Sequence, residues 1–129
     1  MTRPLEGPVS PQYLDARPTL EVADIGTALE FWNEVAGFAT DALMGEPPVF
    51  AIVGAGTVQL GLVEVGSPAV PEGAACYITL QGLDQFLEQV ERAGLPLAVP
   101  LTIRPWGLRD VVVACPGGGP MVAFGEPMP

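Results

Sequence analysis

Apolar and polar positions in the first half of the chain follow the order strand, helix and three strands. Alternation over residues 18–22 predicts a half-buried strand, and Asp24 then provides a suitable helix N-cap. Apolar residues recur at helical spacing from Ile25 until Gly37, where we expect the helix to end. Three short strands are predicted over residues 38–43, 49–53 and 57–64.

The same order of elements restarts after a linker at residues 66–73 that is rich in proline and glycine. Alternation over residues 76–80 predicts a strand, and a helical stripe begins at Asp84 and ends at Gly94. The final strands are predicted over residues 97–99, 110–115 and 121–124.

The two halves of the chain correspond position by position. Gly37 and Gly94 close the two predicted helices, and Leu20 on the first strand corresponds to Ile78 on the fifth. The sequence therefore predicts an α+β fold of two tandem βαβββ modules, at about residues 17–65 and 74–126. Neither copy is large enough to bury its own faces, so we expect the two to join edge to edge.

Length and composition support one globular domain. The 129 residues are 49% hydrophobic and only 16% charged, which leaves apolar surface for a ligand or a partner subunit. Residues 1–16 carry three prolines and no periodicity, which indicates a flexible N-terminal arm before a single domain at residues 17–129.

The charge balance excludes several functions. The chain has 15 acidic residues against five basic ones, for a net charge of −10, which disfavours nucleic acid as a partner and favours cations. It contains no histidine, so histidine triads and histidine-bound metals are ruled out. No signal peptide or membrane span is apparent, which predicts a cytoplasmic protein without a membrane partner. Cys76 and Cys115 lie in apolar runs, where we expect small buried side chains.

Five segments of the chain resemble the vicinal oxygen chelate superfamily, and within it the bleomycin-resistance-protein branch. These are Pro18-Thr-Leu-Glu-Val-Ala-Asp24, Ala28-Leu-Glu-Phe-Trp32, Gly37-Phe38, Pro105-Trp-Gly-Leu-Arg-Asp110 and Pro116-Gly-Gly-Gly119. The resemblance spans about residues 17–126. It implies a cupped mixed sheet, completed as a homodimer that holds a cytotoxic natural product in clefts between the subunits.

The chain departs from this family at the positions that hold a divalent metal in its enzymes. The resemblance places those positions near Arg17 or Thr19, Gln59, Ala75, and Val122 or Ala123. None is a carboxylate or an imidazole, the side chains that such metals require. We therefore expect no metal, no cofactor and no catalytic residue, and predict an antibiotic-sequestering resistance protein that is not an enzyme.

Aromatic and polar side chains are the candidate ligand contacts. Trp106 lies in a Pro-Trp-Gly loop, where it is either a stacking platform for the ligand or an interface anchor. Trp32, Phe38 and Phe50 either wall the cleft or pack in the core. Four polar residues have the opposite strand parity to the apolar positions, which predicts that they face the cup: Thr19, Glu21, Gln59 and Tyr77. Glu21 suits a cationic ligand, and Arg109 is expected to pair with an acid.

Three functions remain open on the sequence. The first is binding without turnover of a bulky ligand of the bleomycin, enediyne or mitomycin type. The second is a metal-free or atypical-metal enzyme of the same superfamily, such as a lyase, isomerase or cyclase of secondary metabolism. The third is an interaction module without a small ligand.

Overall fold

The first half of the chain forms a four-stranded sheet, here named the N-sheet. A computed structural model describes residues 10–69 and 71–129. The elements of this half are β1 (Thr19–Val22), α1 (Ile25–Glu30), β2 (Ala39–Met44), β3 (Phe50–Ala55) and β4 (Val58–Glu64). Helix α1 continues directly into a π-helical turn at Phe31–Val35. Asp24 caps the helix as expected, because its side chain accepts a hydrogen bond from the Thr27 amide.

The second half repeats this arrangement as a second four-stranded sheet, the C-sheet. Its elements are β5 (Tyr77–Thr79), α2 (Leu83–Arg92), β6 (Leu97–Ile103), β7 (Leu108–Ala114) and β8 (Met121–Pro127). The strand orders are β1-β4-β3-β2 and β5-β8-β7-β6, with the first strand of each module parallel to the last and the other pairs antiparallel. The prediction of two βαβββ modules is confirmed.

Strand β6 is longer than the sequence predicted. It extends to Ile103 through Pro100, a residue that ordinarily argues against a strand because it lacks an amide donor. Strand β6 lies at the edge of the C-sheet, and its pairing with β7 shifts register between Val99 and Thr102. An edge position with a bulge tolerates the missing donor, so the strand continues past the proline.

A shared aromatic core connects the two modules. The Trp32 ring from the π-helical turn lies 6.0 Å from that of Phe124 on β8, which in turn lies 4.2 Å from that of Phe86 on α2. The Gly117 carbonyl, between β7 and β8, also accepts hydrogen bonds from the amides of Ala23 and Asp24. In the described residues no ladder joins the two sheets, so the expected edge-to-edge joining is replaced by packing through the helix-bearing sides.

A glutamate near the end of each module's last strand holds the start of that module's helix. Glu64 accepts a hydrogen bond from the Ile25 amide at 3.0 Å, and Glu126 accepts one from the Gly82 amide at 2.7 Å. A negative charge at this end of a helix complements both the free amides and the helix dipole. The internal duplication therefore includes the way each helix begins.

The remaining segments carry less regular structure. Residues 1–9 of the predicted arm lie outside the described residues, and residues 10–18 are exposed and form no helix or strand. Cys115 is buried, which raises the pKa of its thiol to about 12, whereas Cys76 is half-buried; both are free. In residues 10–69 and 71–129, no helix has the length and apolar character needed to cross a bilayer.

The contact at Gly117 gives a test of how the modules are joined. A methyl group at Gly117 would lie 2.8 Å from the Asp24 carbonyl oxygen and 2.9 Å from the Ala28 amide nitrogen. Gly107 has almost the same φ, +91° against +89°, with nothing within 4 Å of such a methyl. We expect Gly117→Ala to lower the free energy of unfolding by about 1 to 3 kcal/mol more than Gly107→Ala, measured by urea denaturation. Equal losses would contradict this steric account.

Candidate functional site

Each sheet has one face against the shared core and one face turned away from it, here called its outer face. On the N-sheet, Leu20, Leu60 and Leu62 lie on the core side and are buried. Residues between them in sequence point the other way, because side chains alternate along a strand. The expected orientation of Thr19, Glu21, Gln59 and Tyr77, away from the core, agrees with this register.

Thr19 and Phe50 meet on the outer face of the N-sheet over a glycine. A methyl group at Gly61 would lie 3.0 Å from Thr19 Oγ1 and 3.3 Å from Phe50 Cζ. The absence of a side chain at Gly61 thus lets the Phe50 ring lie flat against the sheet. Phe50 is half-buried rather than part of the core, so it is available as an aromatic wall.

Gln59 lies in a chain of polar contacts on the same face. Its side-chain oxygen accepts a hydrogen bond from Arg17 at 2.9 Å, and its amide nitrogen donates one to Asp41 at 3.3 Å. Glu21 accepts a hydrogen bond from the Ala69 amide at 2.7 Å, so this carboxylate also holds the linker. Both of these predicted ligand contacts therefore already have partners within the chain.

Tyr77 and Asp110 form the polar centre of the C-sheet's outer face. The Tyr77 hydroxyl donates to Asp110 Oδ2 at 3.0 Å, and Arg104 Nε donates to both carboxylate oxygens, at 3.1 and 3.3 Å. Tyr77 lies directly over Gly125, where any side chain would overlap the phenol. Partial burial and the bond to Asp110 raise the pKa of Tyr77, whereas Arg104 acts in the opposite direction.

Trp106 lies at the tip of the hairpin between β6 and β7 and is 68% exposed. A tight turn presents it: the Arg104 amide bonds to the Leu108 carbonyl, and Gly107 adopts a positive φ of +91°. Strand β6, which leads to this hairpin, contains four exposed apolar residues: Leu97, Val99, Leu101 and Ile103. The expectation that Trp106 is not a core residue is confirmed.

Trp32 and Phe38 were candidate ligand contacts, and the structure places both in the core. Their rings meet edge to face at 5.0 Å, and both side chains are buried. Phe38 lines a partly open pocket of about 180 Å³, which is smaller than the sites that hold drug-sized ligands, roughly 300–1,000 Å³. Trp32 on the π-helical turn and Phe38 just before β2 both face inward, so neither residue belongs to the outer faces.

Arg109 and Glu126 have structural roles. Arg109 contacts Glu126 at 2.6 Å and Asp84 at 3.2 Å, which confirms the expected pairing with an acid. Hydrogen bonds from Arg109 and from the Gly82 amide lower the pKa of Glu126. Glu126 points to the helix side of the C-sheet, and residues 10–69 and 71–129 contain no cluster of three or more potential metal-ligating side chains. The outer faces therefore offer aromatic surface and hydrogen-bonding groups.

Sequence reasoning missed Asp110, Arg104 and Gly125 as parts of this site. Asp110 follows Arg109 and precedes three consecutive valines, so the sequence shows no alternation that would assign it to a face; the register places it opposite Gly125, on the face away from the core. The pairing with Arg104 depends on the register across the hairpin, which the β6 bulge shifts, and sequence alone does not give that shift.

Comparison with solved structures identifies the architecture. No protein-family model and no curated protein sequence matches the chain. A structure of bleomycin-binding protein from Streptomyces verticillus, complexed with copper(II)-bleomycin, aligns with a TM-score of 0.65 and 22% identity, over 89% of this chain and 97% of that one. The chain has the vicinal oxygen chelate fold.

Other solved structures are similar to this chain to the same degree. TioX from Micromonospora sp. ML1 aligns with a TM-score of 0.68 and 20% identity, over 88% of this chain and 95% of that one. Lactoylglutathione lyase from Agrobacterium tumefaciens aligns with a TM-score of 0.70 and 21% identity, over 91% and 96%. At these identities the comparisons show a shared fold, and this fold includes a binding protein as well as a lyase.

The phenol of Tyr77 reports on the polar centre of the C-sheet. In a Tyr13→Phe background Tyr77 is the only tyrosine, and we expect its pKa, read from near-ultraviolet phenolate absorbance, to lie above 10.0. Adding Asp110→Asn should lower this pKa, because the repelling carboxylate is lost; adding Arg104→Gln should raise it. If both changes shift the pKa in the same direction, the hydrogen-bonded network is not as described.

Proposed function

We propose that this protein binds a bulky aromatic natural product without turning it over, and so sequesters a cytotoxic compound. The observation that carries the proposal is Trp106, a large aromatic side chain that is 68% exposed at the hairpin between β6 and β7 and lies next to Arg104, which binds Asp110 on the C-sheet's outer face. An exposed indole in this position is available for stacking by a ligand. Aromatic stacking on an indole stabilises such a complex by roughly 0.5 to 1.5 kcal/mol beyond area burial.

The polar groups on both outer faces support recognition rather than catalysis. Asp110 is bonded to Arg104 and Tyr77, and Gln59 is bonded to Arg17 and Asp41. Gln59 is not titratable, and Asp110 is only 3% exposed, so neither side chain is accessible to a substrate as a general base. Engaged groups still fix orientation, which is what a binding site requires.

A second copy of the chain completes the site in this proposal. The N-sheet brings Phe50 and Thr19 to its outer face, and the C-sheet brings Trp106 and Tyr77. Each set lies on an open face, so either one alone would leave much of a bulky ligand in water. An isologous dimer that sets the N-sheet of one protomer against the C-sheet of its partner encloses two equivalent clefts.

Tryptophan fluorescence tests ligand binding directly, because the chain has two tryptophans with opposite surroundings. Trp106 is exposed and Trp32 is buried, so quenching by a bound aromatic ligand should come from Trp106. We expect saturable quenching by a bleomycin-type or enediyne compound, with EDTA present, near one ligand per chain. Because Trp106→Ala loses the reporting indole, its affinity is read from ligand absorbance or calorimetry, and it should be weaker by about tenfold, a loss of roughly 1.4 kcal/mol.

A second variant at position 106 separates the effect of an aromatic face from the effect of side-chain size. Trp106→Phe retains an aromatic face on the same hairpin, and its affinity should lie between those of the native protein and Trp106→Ala. Its affinity is read from ligand absorbance or calorimetry, since Phe does not report in the tryptophan window. Unchanged affinity in Trp106→Ala would remove the residue from the site.

The oligomeric state gives a separate test of the interface cleft. Sedimentation equilibrium at micromolar protein should give twice the 13.4 kDa chain mass. Ile103→Asp adds a charge to the exposed apolar edge at β6 and should shift the protein toward monomer. Gln89→Asp, on the exposed side of α2, is the control and should leave the mass unchanged. A monomeric native protein would contradict the two-copy cleft.

An enzyme of the same fold is the second candidate, favoured by the similarity to a lactoylglutathione lyase structure. Such an enzyme, whether metal-free or with an atypical metal, would be a lyase, isomerase or cyclase of secondary metabolism. Mass spectrometry of the ligand after prolonged incubation distinguishes the two functions. Recovery of unchanged ligand supports sequestration, and a product formed only with native protein supports the enzyme.

A further inference from the structure

Asp110 is the one charged residue that is fully buried among residues 10–69 and 71–129, with 3% of its surface exposed. Burial of a carboxylate is costly unless partners satisfy its oxygens. It lies on β7, a strand whose other buried side chains are apolar. An apolar residue would pack there at lower cost, so a charge at this position calls for a specific role.

The partners of Asp110 show what it holds in place. Arg104 reaches both carboxylate oxygens through Nε, and Tyr77 donates to one of them. Because Asp110 binds Arg104 through Nε, it does not use the two terminal nitrogens of Arg104. These nitrogens make no hydrogen bond within the described residues. The Arg104 side chain is 33% exposed, so these donors are accessible from the outer face.

The guanidinium of Arg104 also lies over the ring of Trp106. The guanidinium carbon is 5.9 Å from the centroid of the indole ring, within the range of a cation–π contact. Asp110 lies behind Arg104, so the ion pair presents its positive end outward. Asp110, Arg104 and Trp106 thus form a line from the buried sheet to the exposed ring.

We propose that Asp110 is a positioning residue that fixes Arg104 beside Trp106, and that this pair recognises an uncharged fused aromatic ring system bearing a carbonyl. The inference rests on the proposed binding function and deepens it. Because the guanidinium lies over the indole at 5.9 Å from its centroid, a fused ring system that stacks next to it on the same face of Trp106 brings a carbonyl within its reach. Its carbonyl oxygen then accepts hydrogen bonds from the free terminal nitrogens.

Charge selects the uncharged ligand over charged ones. The net charge of −10 attracts a cationic ring at long range, but at Trp106 such a ring meets the outward guanidinium, which repels it at short range. An anionic ring approaches a protein of net charge −10, which opposes its association. A carbonyl on a neutral ring avoids both costs and gains a hydrogen bond from a charged donor. Glu21, the residue that suited a cation, lies on the N-sheet and is bonded to the linker.

Three tricyclic probes, with the two neutral ones added from a small volume of dimethyl sulfoxide, test this selectivity in the native protein. These are 2-(hydroxymethyl)anthraquinone, with carbonyls, 9-(hydroxymethyl)anthracene, without them, and cationic 9-aminoacridine. Binding is measured by quenching of tryptophan fluorescence and checked by calorimetry. We expect the quinone to bind at least about tenfold more tightly than the anthracene, as a hydrogen bond from a charged donor allows. The acridine should bind no more tightly than the anthracene.

Variants assign the selectivity to named residues. Arg104→Gln should remove the preference for the quinone over the anthracene, and this ratio of two affinities measured in one variant is the readout. Arg92→Gln, at an exposed arginine on α2, removes the same charge elsewhere and should leave the preference intact. Asp110→Asn should reduce the preference while Arg104 is still present, which separates positioning from direct contact. Circular dichroism melts establish whether each variant folds. If Asp110→Asn does not fold, the result for Arg104→Gln decides whether Arg104 recognises the carbonyl.

The outcomes separate this inference from the function on which it rests. Similar affinities for quinone and anthracene, or an unchanged preference in Arg104→Gln, would overturn the carbonyl recognition while leaving aromatic binding in place. Tighter binding of the acridine would overturn it in favour of a cationic ligand. If none of the three probes binds, both the inference and aromatic binding at Trp106 fail.

Discussion

The arrangement of this molecule depends on an aromatic contact between its two halves. Trp32 from the first module packs against Phe124 from the second, and Phe86 packs on the other side of Phe124. Rings of this size bury large apolar areas, and here one cluster serves both modules. Because the modules share a core through their helix-bearing sides, each sheet retains one face that the chain itself leaves open. The candidate site lies on these open faces because the modules pack through their helix-bearing sides.

The sequence predicted the modules well because their elements obey local rules. Alternation of apolar and polar residues predicted the strands, and Asp24 and the helix-ending glycines predicted where helices begin and end. The correspondence between the two halves predicted the order of the elements. The strand parity of Tyr77 and Gln59 was also sufficient to place them on the outer faces. These features depend on neighbours in sequence, which a single chain reveals.

What the sequence did not predict depends on contacts between distant residues. The locations of Trp32 and Phe38 were ambiguous because an apolar aromatic side chain suits a core and a ligand cleft equally. Only the packing of the second module buries them. The joining of the modules was missed because it depends on the Gly117 carbonyl reaching the start of α1. Arg104 and Asp110 meet through a register that a bulge in β6 alters.

The close approach at Gly117 has a consequence for how the protein can diversify. The junction between the modules is made there by main-chain atoms, with amides of residues 23 and 24 bonded to one carbonyl. Main-chain contacts do not depend on which side chains the outer faces carry. Substitutions at positions such as Phe50 or Trp106 can therefore accumulate without weakening this contact between the modules. The same fold can in this way be adapted to chemically different ligands.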